Sequence, residues 1–398
     1  MSRLLAPVAV FGAVLVAMVA LNHGATAPPA AAGRWPDYTA LGNEYLARAR
    51  ATGDPAFYSR AERAFDAALR RDPASVDALV GAGTLAGFRH DFAEQLRLGE
   101  EARHAAPELA RPLPVIADAQ IELGRYSRAA RTIRRLVDLK PGLPAYARVS
   151  YYRELHGHVA GAVRAMRFAV SAGGGPEGSA YVETLLGDLE LGRGDVGAAR
   201  TAYREALRDV HDFPQALTGL ARIDAASGRL RRAAARLRRS TDELPLTTAL
   251  TLLAEVEGAL GDRRAARADL AAARIQHRLL RRSRALPDAE AVLFEANHGS
   301  PERAVALGRR VWRLEPSIRS ADALGWALTR AGRPVAGLLW ARRALRTGSV
   351  DPLFRLHAGL AALRSRRRGE ARRYLTAAVR GAAALSPAAR RLLEEARS

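Results

Sequence analysis

Residues 181–206 read YVETLLGDLELGRGDVGAARTAYREA, and the fold of most of the chain can be predicted from this stretch. Two apolar stripes at helical spacing flank a Gly-Asp pair, which predicts two amphipathic helices joined by a short turn. Gly194 can adopt the left-handed backbone that ends the first helix, and Asp195 can cap the second by accepting its free N–H groups. The stripes consist of Leu185, Leu186 and Leu189, and of Ala199, Tyr203 and Ala206.

The same unit recurs along most of the chain. Taking Ala199 as the reference position, equivalent positions are separated by 34, 34, 33, 37, 34, 33, 38, 33 and 34 residues. The two longer intervals contain the loop signals Ser171 to Pro176 and Ser283 to Pro287. A repeated helix pair that cannot bury its apolar face alone predicts a stacked array. The equivalent positions are Ala61, Gln95, Ala129, Ala162, Ala199, Ala233, Ala266, Ala304, Gly337 and Ala371.

The period and its residues resemble the tetratricopeptide repeat. The first unit carries Tyr38, Leu41, Gly42 and Tyr45, then Ala61, Phe65, Ala68 and Pro73, where that family has its signature residues. The fifth unit matches at Gly187, Gly194, Ala199, Tyr203 and Ala206. The resemblance implies an all-α solenoid of about ten antiparallel helix pairs in a right-handed superhelix, covering about Tyr38 to Ala383.

The N-terminus has the pattern of an export signal. Arg3 precedes the uncharged run Leu4 to Leu21, and a Pro/Ala-rich linker, Ala25 to Gly33, follows. The run is long for a cleaved signal and short for a membrane span, so both remain open. The expected organisation is a signal or membrane anchor with linker in 1–33, the repeat array in 34–386 and a solvating cap helix in 387–398. The rest of the chain is expected outside the cytoplasm, secreted or anchored by residues 4–21.

The composition and the absence of known motifs exclude several kinds of catalytic and metal site. The chain has no cysteine, which excludes disulfides, thiolate metal sites and cysteine nucleophiles. We found no phosphate-binding loop and no metalloprotease or serine-hydrolase motif. His156 and His158 flank a glycine in a predicted turn, but a third metal ligand is not apparent. The sequence therefore predicts a non-catalytic protein without cofactor or metal.

The resemblance implies that the first helix of each repeat lines a concave face, where that family usually binds peptides or protein segments. The register predicts an acidic and aromatic groove, which favours an extended segment that is basic or hydroxyl-rich. Solvated helix faces without a partner are the alternative. Tyr151 and Tyr181 are the expected anchors. The predicted groove residues are Tyr151, Glu154, Tyr181, Thr184, Asp188, Arg222, Glu255, Asp322 and Trp326.

The net charge of +21 lies almost entirely in the second half, where residues 227–398 hold 35 arginines against 16 acids. These arginines fall mainly on second helices, which predicts a basic flank on the convex side. It could adhere to anionic lipid or an acidic envelope polymer, or be merely solvated; specific nucleic-acid binding is not expected of an exported protein. The predicted basic flank comprises Arg231, Arg232, Arg238, Arg281, Arg282, Arg342, Arg343, Arg367, Arg368 and Arg372.

Overall fold

The structure is a computed structural model, and it describes residues 37–397. These residues form twenty-one α-helices, of which the first twenty are ten consecutive antiparallel pairs. The first five pairs are α1 Tyr38–Thr52, α2 Ala56–Arg71, α3 Val76–Phe88, α4 Phe92–Ala105, α5 Pro112–Glu122, α6 Tyr126–Leu139, α7 Leu143–Leu155, α8 Val159–Ser171, α9 Gly175–Gly192 and α10 Val196–Asp209. The remaining helices are α11 Pro214–Ala226, α12 Leu230–Glu243, α13 Thr247–Leu260, α14 Arg263–Arg282, α15 Ala289–His298, α16 Pro301–Leu314, α17 Ile318–Arg330, α18 Pro334–Ala344, α19 Pro352–Arg364, α20 Arg368–Val379 and α21 Pro387–Glu395.

The reference stretch folds as its pattern predicts, as the pair α9 and α10. Gly194 has φ 94°, and the Asp195 carboxylate accepts a hydrogen bond of 3.0 Å from the N–H of Ala198. The buried ring of Tyr203 fills the space between the first helices of two adjacent repeats. A Cβ added to Gly187 or Gly219 would lie 2.5 or 2.4 Å from that ring, so a larger residue there would separate the helices.

The array also contacts itself between residues far apart in sequence. The first five repeats form a first layer of the superhelix, and residues 283–384 contact it as a second layer. The phenol oxygen of Tyr126 accepts a hydrogen bond of 2.9 Å from the N–H of Ile318, and Thr347 donates one of 2.6 Å to the carbonyl of Leu155. Both pairs are 192 residues apart, a distance of between five and six repeats. One turn of the superhelix therefore takes between five and six repeats, and successive turns are close enough to touch.

Glycines in the turns of the first layer permit this contact. A Cβ on Gly124 would lie 2.3 Å from the carbonyl oxygen of Pro316. One on Gly157 would lie 2.2 Å from that of Gly348, and one on Gly194 would lie 2.2 Å from that of Arg380. Three consecutive turns thus meet the second layer, while most helix contacts remain between helices that are adjacent in sequence.

The loop Ser283 to Pro287 belongs to this interface. The N–H of Leu286 donates a hydrogen bond of 2.7 Å to the carbonyl of Arg89, and Ala285 packs into the core cluster that holds Leu46 and Phe65. Helix α14 continues to Arg282, so Arg281 and Arg282 lie in its last turn, immediately before this loop.

The C-terminal helix α21 packs into the superhelix. Leu393 is buried in the core cluster of the last repeats. The N–H of Ala388 donates a hydrogen bond of 3.1 Å to the Glu255 carboxylate on α13. Its charged residues Arg391, Glu394 and Glu395 are exposed.

Candidate functional site

The second layer encloses the concave face of the first and leaves a central cavity of about 650 Å³. First helices of repeats four to ten supply most of its wall, and α21 supplies the remainder. The wall contains leucine and aromatic side chains together with carboxylates and arginines. Since such a mixture offers both apolar contact and directional polar groups, the cavity is the candidate binding site.

Seven of the nine predicted groove residues lie on the wall of this cavity. They are Tyr151, Glu154, Asp188, Arg222, Glu255, Asp322 and Trp326. Tyr181 and Thr184 do not line it. Tyr181 is 7% exposed and packs with Leu143, Met166 and other apolar side chains, while the Thr184 hydroxyl donates to the Ala180 carbonyl. The ring of Tyr181 thus packs in the interface between helices and does not lie on the cavity wall.

Arg319 of α17 lies on the cavity wall, close to several acidic groups. Burial opposes its charge, but Tyr151, Glu122, Glu290 and Asp351 together raise its pKa above the ordinary value. The Tyr151 hydroxyl donates a hydrogen bond of 3.0 Å to the buried Glu122 carboxylate. One guanidinium is thus surrounded by several acids from both layers.

The carboxylates around Arg319 are held in an environment that disfavours their charge. Burial, reinforced by Asp351, raises the pKa of Glu154 to about 7, although its side chain is open to the cavity itself. Burial and Asp288 raise the pKa of Glu290 well above its ordinary value. A cation entering the cavity would offset this penalty and return both groups to the ionised form.

Asp322, Trp326 and His357 form a rigid unit on the second-layer side. The ring of His357 stacks on that of Trp326 with centroids 4.3 Å apart, and its Nδ1 lies 2.9 Å from Oδ2 of Asp322. The indole N–H of Trp326 donates a hydrogen bond of 2.8 Å to Asn297. These contacts fix the apolar surface of the indole in the wall.

Three buried polar atoms on the wall have no hydrogen-bond partner among residues 37–397. They are Oδ1 of Asp322, whose side chain is 1% exposed, Oε2 of Glu290 and the hydroxyl oxygen of Thr247. Because a buried acceptor is costly when unpaired, these atoms define where a donor from a ligand would be stabilised. Asp188, by contrast, accepts 2.7 Å from the Tyr203 hydroxyl and lies 3.5 Å from Arg222.

Of the wall residues contributed by the second layer, sequence reasoning predicted Asp322 and Trp326 but missed others, chiefly Glu290, Arg319, Asp351 and His357. Arg319 lies three residues before Asp322 on the same helical face, so the register already contained that signal. Asp351 was recognisable only as a helix N-cap, a role that it fills by accepting from the N–H of Leu353 at 2.7 Å.

Metal-binding geometry is not found in the described part of the chain. Within residues 37–397, no three His, Cys, Asp or Glu side chains come together in a group that could hold a metal ion. His156 and His158 flank Gly157 in a turn with φ 74°, and the His156 ring stacks on Tyr152 with centroids 4.1 Å apart.

All ten predicted basic-flank arginines are exposed. Arg342 forms two hydrogen bonds of 2.9 and 2.7 Å with Glu370, and Arg343 lies 4.7 Å from the ring centre of Trp312. Arg238 pairs with Glu257 at 2.7 Å. Within residues 37–397, no ion pair involves Arg231, Arg281, Arg282, Arg367, Arg368 or Arg372.

The expected membrane segment, residues 4–21, lies outside the described residues. None of the helices in residues 37–397 combines the length and the apolar character that crossing a membrane requires.

Comparison with known proteins finds a relative that is similar to part of this chain. No protein-family model matches the chain. Cellulose synthase 1 operon protein C of Komagataeibacter xylinus is 29% identical over 171 residues, which is 43% of this chain. The matched part is only 11% of that protein's length.

Solved structures with a similar arrangement of helices include three proteins of low sequence identity. The type IV pilus biogenesis factor PilW is 18% identical with a TM-score of 0.42, and the match covers 52% of this chain and 97% of PilW. Human IFIT1 is 14% identical with a TM-score of 0.47, covering 85% and 84%. Cut9 with Hcn1 is 16% identical with a TM-score of 0.37, covering 85% and 59%. The helix pairs of this chain are of the tetratricopeptide type and stack into an all-α solenoid.

Proposed function

We propose that this chain is a non-catalytic, exported interaction scaffold that holds an extended segment of a partner protein in its central cavity. The observation that carries the proposal is the convergence of seven predicted groove residues on one cavity wall. Export is inferred from Arg3 and the apolar run Leu4 to Leu21.

The chemistry of the wall favours a segment with basic or hydroxyl side chains. A lysine or arginine would pair with Glu154 or Glu290, whose pKa values are raised chiefly by burial and then by the neighbouring carboxylates Asp351 and Asp288. A hydroxyl could donate to the unpaired Oδ1 of Asp322. Trp326, Leu353 and Phe354 offer apolar contact beside these groups.

Fluorescence anisotropy with short labelled peptides tests this. We expect the full-length chain to bind a peptide of alternating lysine and serine more tightly than one of alternating glutamate and serine. Glu154→Arg, in the cavity wall, should weaken binding of the lysine peptide by about tenfold or more. Glu243→Arg, an exposed change of the same charge on α12, is the control. Equal binding of both peptides, or equal effects of both variants, would contradict the proposal.

A second candidate function is adhesion of the basic flank to an anionic lipid surface or envelope polymer. Its support is that six exposed flank arginines form no ion pair within residues 37–397, so their charge is available. Adhesion of this kind requires binding to anionic vesicles that falls steeply with added salt. Binding that is unchanged between low and high salt would exclude it.

A further inference from the structure

A second, smaller cleft lies on the outer surface, where the second helices of repeats five and six approach each other. Its volume is about 270 Å³. Leu220 and Ile223 form an apolar floor, and every other lining group is charged. The charged groups are Arg200 and Arg204 of α10, Asp224 of α11, Arg229 in the following turn, and Arg232 and Arg236 of α12.

The buried Asp224 carboxylate organises three of these arginines. Its Oδ1 accepts a hydrogen bond of 2.9 Å from Arg229, and its Oδ2 accepts one of 2.8 Å from Nε of Arg236. Nε of Arg232 lies 3.3 Å from the same Oδ2. Because Arg232 and Arg236 approach through Nε, their terminal N–H groups are not used by Asp224. The guanidinium planes are thus preorganised with donors to spare.

The cleft carries far more positive than negative charge. It contains five arginines and one aspartate, a difference of +4. Arg200 and Arg204 have no carboxylate partner among residues 37–397, and they lie outside the arginine-rich second half of the sequence. Like charges gathered in a concave site repel one another, and an anion bound between them would relieve that repulsion.

We propose that this cleft binds a phosphate group. Several guanidinium forks around one recess need a ligand with several acceptor oxygens, which a phosphate offers and a single carboxylate does not. Asp224 already occupies the floor as the fixed carboxylate, so the open side between Arg200, Arg204 and Arg236 is where the phosphate would sit. The phosphate could belong to a soluble metabolite or to a lipid headgroup. This site is separate from the central cavity and does not depend on the function proposed for it.

Isothermal titration of the full-length chain with inorganic phosphate and pyrophosphate tests the proposal. We expect saturable binding, tighter for pyrophosphate because it carries more acceptor oxygens. The double variant Arg200→Gln/Arg204→Gln should weaken pyrophosphate binding by about tenfold or more. Neither residue bonds to Asp224, so folding should be unaffected, as an unchanged midpoint of thermal unfolding would show. Arg309→Gln/Arg310→Gln, two exposed arginines on α16, is the control with the same charge change.

The source of the phosphate is distinguished with a short-chain phosphatidic acid, used as a monomer, against a short-chain phosphatidylcholine. Tighter binding of phosphatidic acid than of pyrophosphate, lost in Arg200→Gln/Arg204→Gln, assigns the cleft to a lipid headgroup; the reverse order assigns it to a soluble phosphate. The proposal is overturned if the chain binds none of these phosphates, or if both double variants weaken binding equally.

Discussion

Two arginine–carboxylate pairs of nearly the same geometry lie on opposite sides of the solenoid wall. On the inner side, Arg148 of α7 holds Asp118 of α5 through hydrogen bonds of 2.8 and 2.6 Å, with side chains 0% and 2% exposed. On the outer side, Arg342 and Glu370 bond at 2.9 and 2.7 Å with side chains 42% and 13% exposed.

The contrast between these two pairs lies in their burial and not in their hydrogen-bond geometry. The charges of the buried pair have lost water and depend on each other, whereas those of the exposed pair are screened and exchange their partners for water at little cost. Burial therefore decides how much each pair contributes to stability.

The largest effect is expected from breaking the inner pair. Asp118→Ala leaves the Arg148 guanidinium buried without its carboxylate and should destabilise the fold by about 3–5 kcal/mol. Glu370→Ala, the matched outer change, should cost no more than about 1 kcal/mol. Urea unfolding followed by circular dichroism measures both. Equal losses of stability would show that the two walls do not differ.

The contact between layers is tested by two glycines with similar backbone angles. Gly124 has φ 65° and faces the Pro316 carbonyl, whereas Gly228 has φ 74° and nothing within 4 Å of an added Cβ. Alanine at either position is strained, but only Gly124→Ala also collides with the second layer. We expect Gly124→Ala to cost about 1–3 kcal/mol more than Gly228→Ala. Identical unfolding midpoints for the two variants would argue against contact between the layers.

A smaller effect is expected in the pH dependence of stability, and it comes from Glu154 on the cavity wall. The pKa of Glu154 is raised to about 7 in the fold, above that of the unfolded chain, so the folded state binds more protons between these values. Stability contributed by the protonated group is present at low pH and is lost as pH rises towards 7. Glu154→Gln should therefore raise the thermal midpoint relative to wild type at neutral pH but not at pH ~4, below the unfolded pKa. A midpoint difference between Glu154→Gln and wild type that is the same at pH ~4 and at neutral pH would contradict this.

The smallest effect is expected on the outer wall itself. Arg281→Gln/Arg282→Gln removes two exposed charges that form no ion pair within residues 37–397, and should change stability by less than about 0.5 kcal/mol. Thermal unfolding of this variant beside wild type measures it. A loss as large as that of Asp118→Ala would mean that the flank contributes to folding.

The repeat unit was predictable because its signals are local. The spacing of Gly187, Gly194 and Tyr203 gives helix pairing, turn and register, and the register places Glu154 and Asp188 on the inner side. Closure of the superhelix was not predictable, because it depends on a small rotation at each repeat that accumulates over five to six units. The repeat pattern alone accounts for Tyr126 and Gly124. The sequence therefore gives no indication that Ile318 and Pro316 contact them. The Arg319 cluster depends on the same closure.

The most direct test of the closed superhelix is amide hydrogen exchange at Ile318 and Leu286. Ile318 is the first residue of α17, where N–H groups have no partner within the helix, and Leu286 lies in a loop. The closed structure gives them acceptors on Tyr126 and Arg89, so both amides should be protected as strongly as those inside helices, and Tyr126→Phe should release Ile318. Exchange of both amides at the rate of exposed backbone in the wild-type chain would contradict the account, because it would mean that the two layers do not touch.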